Sequence, residues 1–317
     1  MTTYVARQID DFVTASICKL GFVPRNSMMA IISPEGTGRY SCAYRLDLDE
    51  LEVLGETMLR FVAPMPNPTA AVIVFDGDAE MTQKVEALVS EILPVTLVAH
   101  TDLETVWELG TSTQGVPLNL HDHPLIAEMI GEGRPVLRSR EEMANVYRAG
   151  IAPNLVTLED IEAARKDAAD DPAEWLTRAA TLTTRGTAGE NLTDQELAHV
   201  VAATLIARAR DLLWTQITSQ NSAGALQFWT SIAQRTPEAS AAPALTLAGF
   251  AAWQSGDGSA TTEAVGAALK IDPTYSMATL MEEILAVAVP PGAWSGFNCL
   301  ADDLLEDAVT DLQASTS

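Results

Sequence analysis

The first half of the chain alternates short apolar runs with stretches of helical spacing. Residues 23–33 contain Ser27-Met28-Met29-Ala30-Ile31-Ile32 and end at Ser33-Pro34-Glu35-Gly36, a strand closed by a turn. From Arg39 to Leu48 the chain alternates, with Tyr40, Cys42, Tyr44, Leu46 and Leu48 on one side, which predicts an antiparallel partner with one solvated face. Leu51, Leu54, Met58, Leu59 and Val62 then fall at helical spacing over 49–63, and Pro64, Pro66 and Pro68 end that helix. Ala70 to Phe75 is apolar throughout, as a strand covered on both faces requires, and Asp76-Gly77-Asp78 stops it. A helix over 79–93 and a strand over 95–99 follow, so residues 70–99 read as a βαβ unit whose strands are parallel. A further strand is predicted at 106–109 and helices at 122–130 and 139–148, the last opened by the capping box Ser139-Arg140-Glu141-Glu142.

The second half loses the strand pattern. Residues 152–187 are polar, with breaks at Asp170-Asp171-Pro172 and Thr183-Thr184-Arg185-Gly186. They predict a helix over 158–169, a short one near Trp175 and a flexible connector. Thr193-Asp194-Gln195-Glu196 opens a long helix to about Ser219. From Ala202 onward the small residues and prolines recur at spacings that resemble a tetratricopeptide repeat, with an ordinary helical bundle as the competing reading. Gly249, Gly256, Ala268 and Pro273 mark one unit, whose first helix is Pro243 to Ser255. Ala225, Trp229 and Pro237 mark the second helix of a preceding unit, with Leu205 to Gln220 as its first; a third, truncated unit starts at Tyr275. Gly249 is expected at a close helix crossing, Gly256 at a helix end, and Ala268 in a tight seam. The fold class is therefore an α/β N-terminal domain with a partly parallel sheet, followed by an all-α, tetratricopeptide-like domain. The expected organisation is 1–150 α/β, 151–192 polar helical connector, 193–298 helical repeat-like, and 299–317 an acidic amphipathic helix and tail.

Charge narrows the function classes. The chain has 317 residues, 43 acidic and 19 basic, for a net charge of −24. Residues 1–150 carry 11 basic and 21 acidic groups, residues 151–317 carry 8 and 22, and no Lys or Arg follows Lys270. Such a surface repels phosphate backbones and anionic headgroups, so nucleic acid and membrane are excluded as partners. No apolar run approaches about 18–20 residues, and residues 1–11 lack the apolar core of a signal peptide. Cys18, Cys42 and Cys299 are too few and scattered for a disulfide framework or a zinc site, and a cytoplasmic location with reduced thiols is expected.

Six residues could carry chemistry. Asp76 and Asp78 follow one expected parallel strand, and His100 and Asp102 follow the next. Ligands of open α/β sheets bind at that edge. His121 and His123 lie in a following loop that could fold back to it, and carboxylates with imidazoles could bind a small ligand or a divalent metal. The competing reading is structural: Asp78 caps the helix at Ala79, Thr101 or Asp102 caps a turn, and Asp122 caps the helix at His123. No phosphate loop or nucleophile elbow is present, Gly36-x-Gly38 being too short and following a hairpin. No metal and no cofactor are predicted. The six tryptophans read as core.

Three stretches resemble an actinobacterial family known only as domain of unknown function 4192. They are Gly21-Phe22-Val23-Pro24-Arg25-Asn26-Ser27, then Gly115-Val116-Pro117-Leu118 with Gly133-Arg134-Pro135-Val136 and Ser139-Arg140-Glu141-Glu142, and the region from Trp229 to Trp294. The last includes Ala251-Ala252-Trp253-Gln254-Ser255-Gly256-Asp257-Gly258 and Pro290-Pro291-Gly292-Ala293-Trp294. The resemblance implies an origin in a high-GC Gram-positive bacterium or its phage, and no activity. Members often carry two cysteines before the Gly-x-Pro motif; Leu109 to Gln114 has none here, so any redox or metal role of that pair is absent. The expected function is that of a non-enzymatic protein-interaction or scaffold protein acting through the helical domain on a neutral or basic protein or peptide. The alternative is a small-molecule- or metal-dependent enzyme with its site at the sheet edge.

Overall fold

A computed structural model describes residue 6 and residues 8–34, 42–111, 114–131, 133–294 and 308–310. The chain divides into two compact units: one runs to Met143 and takes in Ile284–Ala288, and the other comprises Ala144–Glu283 and the chain from Val289.

The first unit opens with α1 (Ile9–Leu20), which the strand-centred pattern had not indicated. Its ends are built locally. Gln8 and Asp11 cap each other's backbone, and Gly21 closes the helix at φ 76, where a side chain would be strained. Strands β1 (Ser27–Pro34) and β2 (Cys42–Asp47) pair antiparallel, with Ala30 facing Tyr44. A 3-10 turn over 48–53 leads into α2 (Leu54–Val62). Then come β3 (Pro68–Phe75), α3 (Ala79–Ser90) and β4 (Val95–Thr101), and β3 and β4 are parallel. Strands β5 (Thr105–Glu108) and β6 (Val116–Pro117) follow by antiparallel turns, and α4 (Pro124–Gly131) and α5 (Arg140–Val146) complete the region. The sheet order is β2-β1-β3-β4-β5-β6, a mixed sheet with one parallel pair.

One sheet face supplies Met28, Ala30 and Ile32 of β1, Tyr44 of β2, and Ala70, Val72 and Val74 of β3. Leu54, Met58 and Val62 of α2 and Val85 and Val89 of α3 close over them. The intervening Met29, Ile73 and Phe75 are also fully buried, which is why β1 and β3 read as continuous apolar runs. At α5 the Ser139 hydroxyl accepts the Glu142 N–H at 3.1 Å, but the Glu142 carboxylate accepts the N–H of Arg138 at 2.6 Å rather than that of Ser139.

The second unit is helical: α6 (Leu158–Lys166), α7 (Pro172–Thr187), α8 (Asp194–Thr204), α9 (Ala207–Thr215), α10 (Ser222–Arg235), α11 (Ala242–Gln254), α12 (Gly258–Ile271) and α13 (Ser276–Ala286) as far as Glu283. Two expectations need correction. The break at Thr183–Gly186 is absent: α7 runs through it and buries Trp175, Leu176, Ala179, Leu182, Thr183 and Gly186. Gly186 is there for proximity, since a β-carbon on it would lie 2.1 Å from the Phe228 ring. The long helix to Ser219 is two helices, because Ile206 takes an extended conformation (φ −108, ψ 117) after Thr204 turns its hydroxyl back onto the Val201 carbonyl.

Gly249 does sit at a close crossing: its β-carbon would lie 2.8 Å from Val265 and 3.5 Å from Ala264, both on α12. Gly256 ends α11 at φ 76, and the Asp257 N–H reaches back to the Ala252 carbonyl. Every residue of α11 is buried. Trp294 stacks on Trp214 at 5.2 Å and meets Phe250 and Trp253 edge-on, while the Trp253 indole N–H donates to the Val289 carbonyl at 3.0 Å. Of the tryptophans, Trp175, Trp229 and Trp253 are buried, and Trp107, Trp214 and Trp294 are half-buried. The helix expected over 299–312 lies outside the described residues except at 308–310, which are helical, with Ala308 buried. The Gly36-x-Gly38 stretch and Cys299 also lie outside them.

Candidate functional site

The parallel pair β3–β4 brings two strand ends side by side, with Val74 opposite His100 and Phe75 opposite Thr101. Beyond β3 the chain turns sharply. Asp76 adopts φ 59, its N–H donates to the Thr101 carbonyl at 2.9 Å, and its carboxylate accepts Arg25 Nη1 at 2.9 Å and the Asn26 N–H at 3.1 Å. That carboxylate fastens the segment entering β1 to the end of β3. Asp78 caps α3, accepting the Met81 N–H at 2.9 Å. Asp102 closes the turn into β5, its Oδ1 accepting the N–H groups of Glu104 at 2.9 Å and Thr105 at 2.7 Å. Those two bonds hold its carboxyl below the usual range.

His100 lies between these turns. It shares a sheet face with Val74 of the α2–α3 core, and its ring stacks on Trp107 with centroids 5.1 Å apart and planes 14° from parallel. The stack follows from the β4–β5 register, in which His100 faces Trp107. Gly115, at the entry to β6, lets the backbone pass against the same indole: a β-carbon there would lie 2.6 Å from Trp107 Nε1. His100 Nδ1 is buried and has no hydrogen-bond partner. Burial lowers the His100 pKa, while the carboxylates of Asp78 and Asp102 oppose that shift. His100, Asp78 and Asp102 are thus brought within electrostatic reach of one another.

The other candidates are held elsewhere. His123 Nδ1 accepts the Leu125 N–H at 3.2 Å at the start of α4, so Nε2 carries the proton and meets Asp11 Oδ1 of α1 at 3.1 Å. His121 is exposed in the preceding turn. Asp122 does not cap the helix as expected; it accepts from Asn119 Nδ2 at 2.9 Å, leaving the helix start to His123. Among the described residues no group of three or more His, Cys, Asp and Glu side chains is disposed to hold a metal ion.

Two features of the second unit escaped the sequence reading. His199 Nε2–H donates to the Trp175 carbonyl at 2.9 Å, and the Trp175 indole donates to the Ala164 carbonyl at 2.8 Å, tying α6, α7 and α8 together. Burial lowers the His199 pKa. The second feature is Ile151, Leu155 and Leu158, all exposed within eight residues. Their signal in the sequence was three large apolar residues, with Ala152 and Val156 between them, just before the chain turns polar after Leu158.

The fold defines a class: a mixed-sheet α/β domain continued by a run of helices, with carboxylates at the strand ends that fasten turns. A family model described as Domain of unknown function (DUF4192) matches residues 19–292, and the chain belongs to that family. No curated protein and no solved structure matches it. Among the described residues, no helix is long and apolar enough to cross a membrane.

Proposed function

We propose that the chain is a cytoplasmic, non-enzymatic interaction protein that engages a protein or peptide partner through its helical unit. The observation that carries this reading is the exposed apolar strip of Ile151, Leu155 and Leu158. Soluble surfaces rarely cluster large apolar side chains without a partner to cover them. The acids at the sheet edge add support, because Asp76, Asp78 and Asp102 each serve a turn or a helix end. We further propose a tetratricopeptide-like relationship between α10, α11 and α12, supported by Gly249 under Val265 and by Gly256 at the end of α11. The burial of all of α11 argues that its groove face is closed, so the partner would dock elsewhere on the unit. An actinobacterial or phage origin accords with the family resemblance.

The test is affinity purification of the full chain from its native host, beside the same chain carrying Ile151→Ser, Leu155→Ser and Leu158→Ser. A stoichiometric protein partner that the triple variant loses is the expected result. Absence of any such partner would defeat the reading.

A second reading is favoured by one observation, the buried and unpartnered Nδ1 of His100 beside Asp78 and Asp102. A small ligand that displaced the cover of this sheet edge would supply the hydrogen bond that the buried imidazole nitrogen lacks. A metabolite library screened by ligand-observed NMR, with binding abolished by His100→Phe, would favour it over the first.

A further inference from the structure

The surroundings of residues 150–158 define the chemistry of the partner, and the inference below rests on the interaction reading. The N–H groups of Gly150, Ala152 and Val156 donate to the carbonyls of Ala233, Gln234 and Arg235 at 3.3, 3.0 and 2.9 Å. These are the last three residues of α10, so the segment is a strap that satisfies carbonyls a helix end leaves open. Val156, 1% exposed, anchors it. Ile151, Leu155 and Leu158 remain 47%, 46% and 57% exposed. They account for three of the eight exposed large apolar side chains among the described residues, which sets this strip apart from scattered surface leucines.

The rim of the strip is acidic. The Glu238 N–H lies 3.6 Å from the β-carbon position of Gly150, placing that residue at one end. Glu159 and Asp160 follow Leu158 in the first turn of α6 at the other end, and both are exposed. Asp194, its side chain 77% exposed, lies alongside and pairs with Arg235, whose Nε donates to the Asn154 carbonyl. Asp194 and Arg235 thus cancel each other's charge, so the acidic rim rests on Glu238, Glu159 and Asp160, set against Arg148 before the strap and Arg165 and Lys166 at the far end of α6. A second copy of the chain would bring its own net charge of −24 to this surface, which disfavours self-association. We infer that the strap docks a segment of another protein that presents an apolar stripe flanked by Lys and Arg, a basic amphipathic segment. The apolar strip would supply the contact, and the carboxylates would steer the approach and select the sign of charge.

Fluorescence anisotropy with the full chain tests this. The probes are a Leu/Lys peptide of about 18 residues with its leucines at helical spacing, a scrambled peptide of the same composition, and a Leu/Glu peptide with the same apolar face. The amphipathic Leu/Lys peptide should bind saturably. Ile151→Ser with Leu155→Ser should weaken it about tenfold or more at an unchanged melting temperature. Glu159→Gln with Glu238→Gln should slow association and flatten the salt dependence. Equal binding of the scrambled or the Leu/Glu peptide, or full affinity in the serine variant, would overturn the inference. If a partner still co-purifies and is lost on strap substitution, the interaction reading stands and only the partner's chemistry falls. If no partner co-purifies, the reading itself falls.

Discussion

Four helical glycines should respond to alanine with a graded change that reverses sign. In a helix interior, Gly→Ala gains at most about 1 kcal/mol of intrinsic propensity. The structure sets what each new methyl group costs. Gly266 in α12 has nothing within 4 Å of its β-carbon position, so Gly266→Ala should keep most of that gain. Gly224 in α10 is the opposite case, since its β-carbon would lie 2.2 Å from the Thr187 backbone oxygen at the end of α7. Carbon–oxygen contact begins near about 3.3 Å, so the helices must part by about 1 Å, and a carbonyl cannot rotate aside as a side chain can. Overpacking of this kind costs about 1–3 kcal/mol, and the rigid obstacle puts Gly224→Ala at the upper end, a net loss of about 2 kcal/mol. Gly186→Ala meets the buried edge of Phe228 at 2.1 Å and should lose somewhat less. Gly249→Ala meets a terminal methyl of Val265 at 2.8 Å, so its cost roughly cancels the gain, whereas Gly249→Leu must force α11 from α12. Urea unfolding followed by tryptophan fluorescence is the assay, because five of the six tryptophans lie after residue 144 and report the helical unit. Each kcal/mol corresponds to about 2–4 °C in melting temperature for a unit of this size. The reasoning is refuted if Gly224→Ala is as stable as wild type, or if it shifts in the same direction as Gly266→Ala.

Three further outcomes follow from the electrostatics. His100 should titrate below 6.5, and Asp102→Asn should lower it further, because the lost carboxylate had opposed the shift while asparagine keeps the turn. Because its folded pKa is depressed, the unfolded chain takes up that proton first and stability falls as pH drops below 6.5; imidazole chemical shifts against pH would show a raised value if this is wrong. Glu196 is drawn down to about 2 by the Thr193 N–H and by Arg185, so its contribution is complete above pH 4.5 and is lost as pH falls toward 2. Glu196→Gln should therefore be less stable than wild type at pH 7 and equal to it near pH 2, as read by denaturation at the two values. Burial pushes the Cys18 thiol up to about 11 and Cys42 to about 12, so alkylation at pH 8 should be about two orders of magnitude slower than in the unfolded chain for Cys18 and about three for Cys42; peptide mapping that finds them modified at unfolded rates would contradict this.

What the sequence disclosed was what local pattern controls. The β3–α3–β4 unit and its parallel pairing were legible because uninterrupted apolar runs, a capping Asp78 and Pro94 all point the same way. Helix α1 is as legible in principle: Ile9, Val13, Ile17 and Leu20 share a face between a Gln8–Asp11 cap and Gly21. The threonines and Gly186 in α7 carry the pattern of a break, because the reason for that glycine, the Phe228 ring, lies on another helix. The candidate site divided along the same line. Capping by Asp78 depends on three residues and could be read directly. The stack of His100 on Trp107 depends on the strand register, and the His123–Asp11 pair spans 112 positions, beyond any local pattern. The strap was not legible because no local pattern separates its buried Val156 from its exposed Ile151 and Leu155, a division that appears only once the backbone is bound along α10.

The most direct test of a helical-unit function is a photo-crosslinking scan of the full chain in its native host. A photoreactive residue would be placed in turn at Ile151, Leu155, Leu158, Leu205, Leu280, Asp102 and His121. One discrete protein adduct is expected at the three strap positions, with the crosslinked partner segment rich in Lys and Arg, and no adduct at Asp102 or His121. A discrete adduct at Asp102 with the strap positions silent would contradict it.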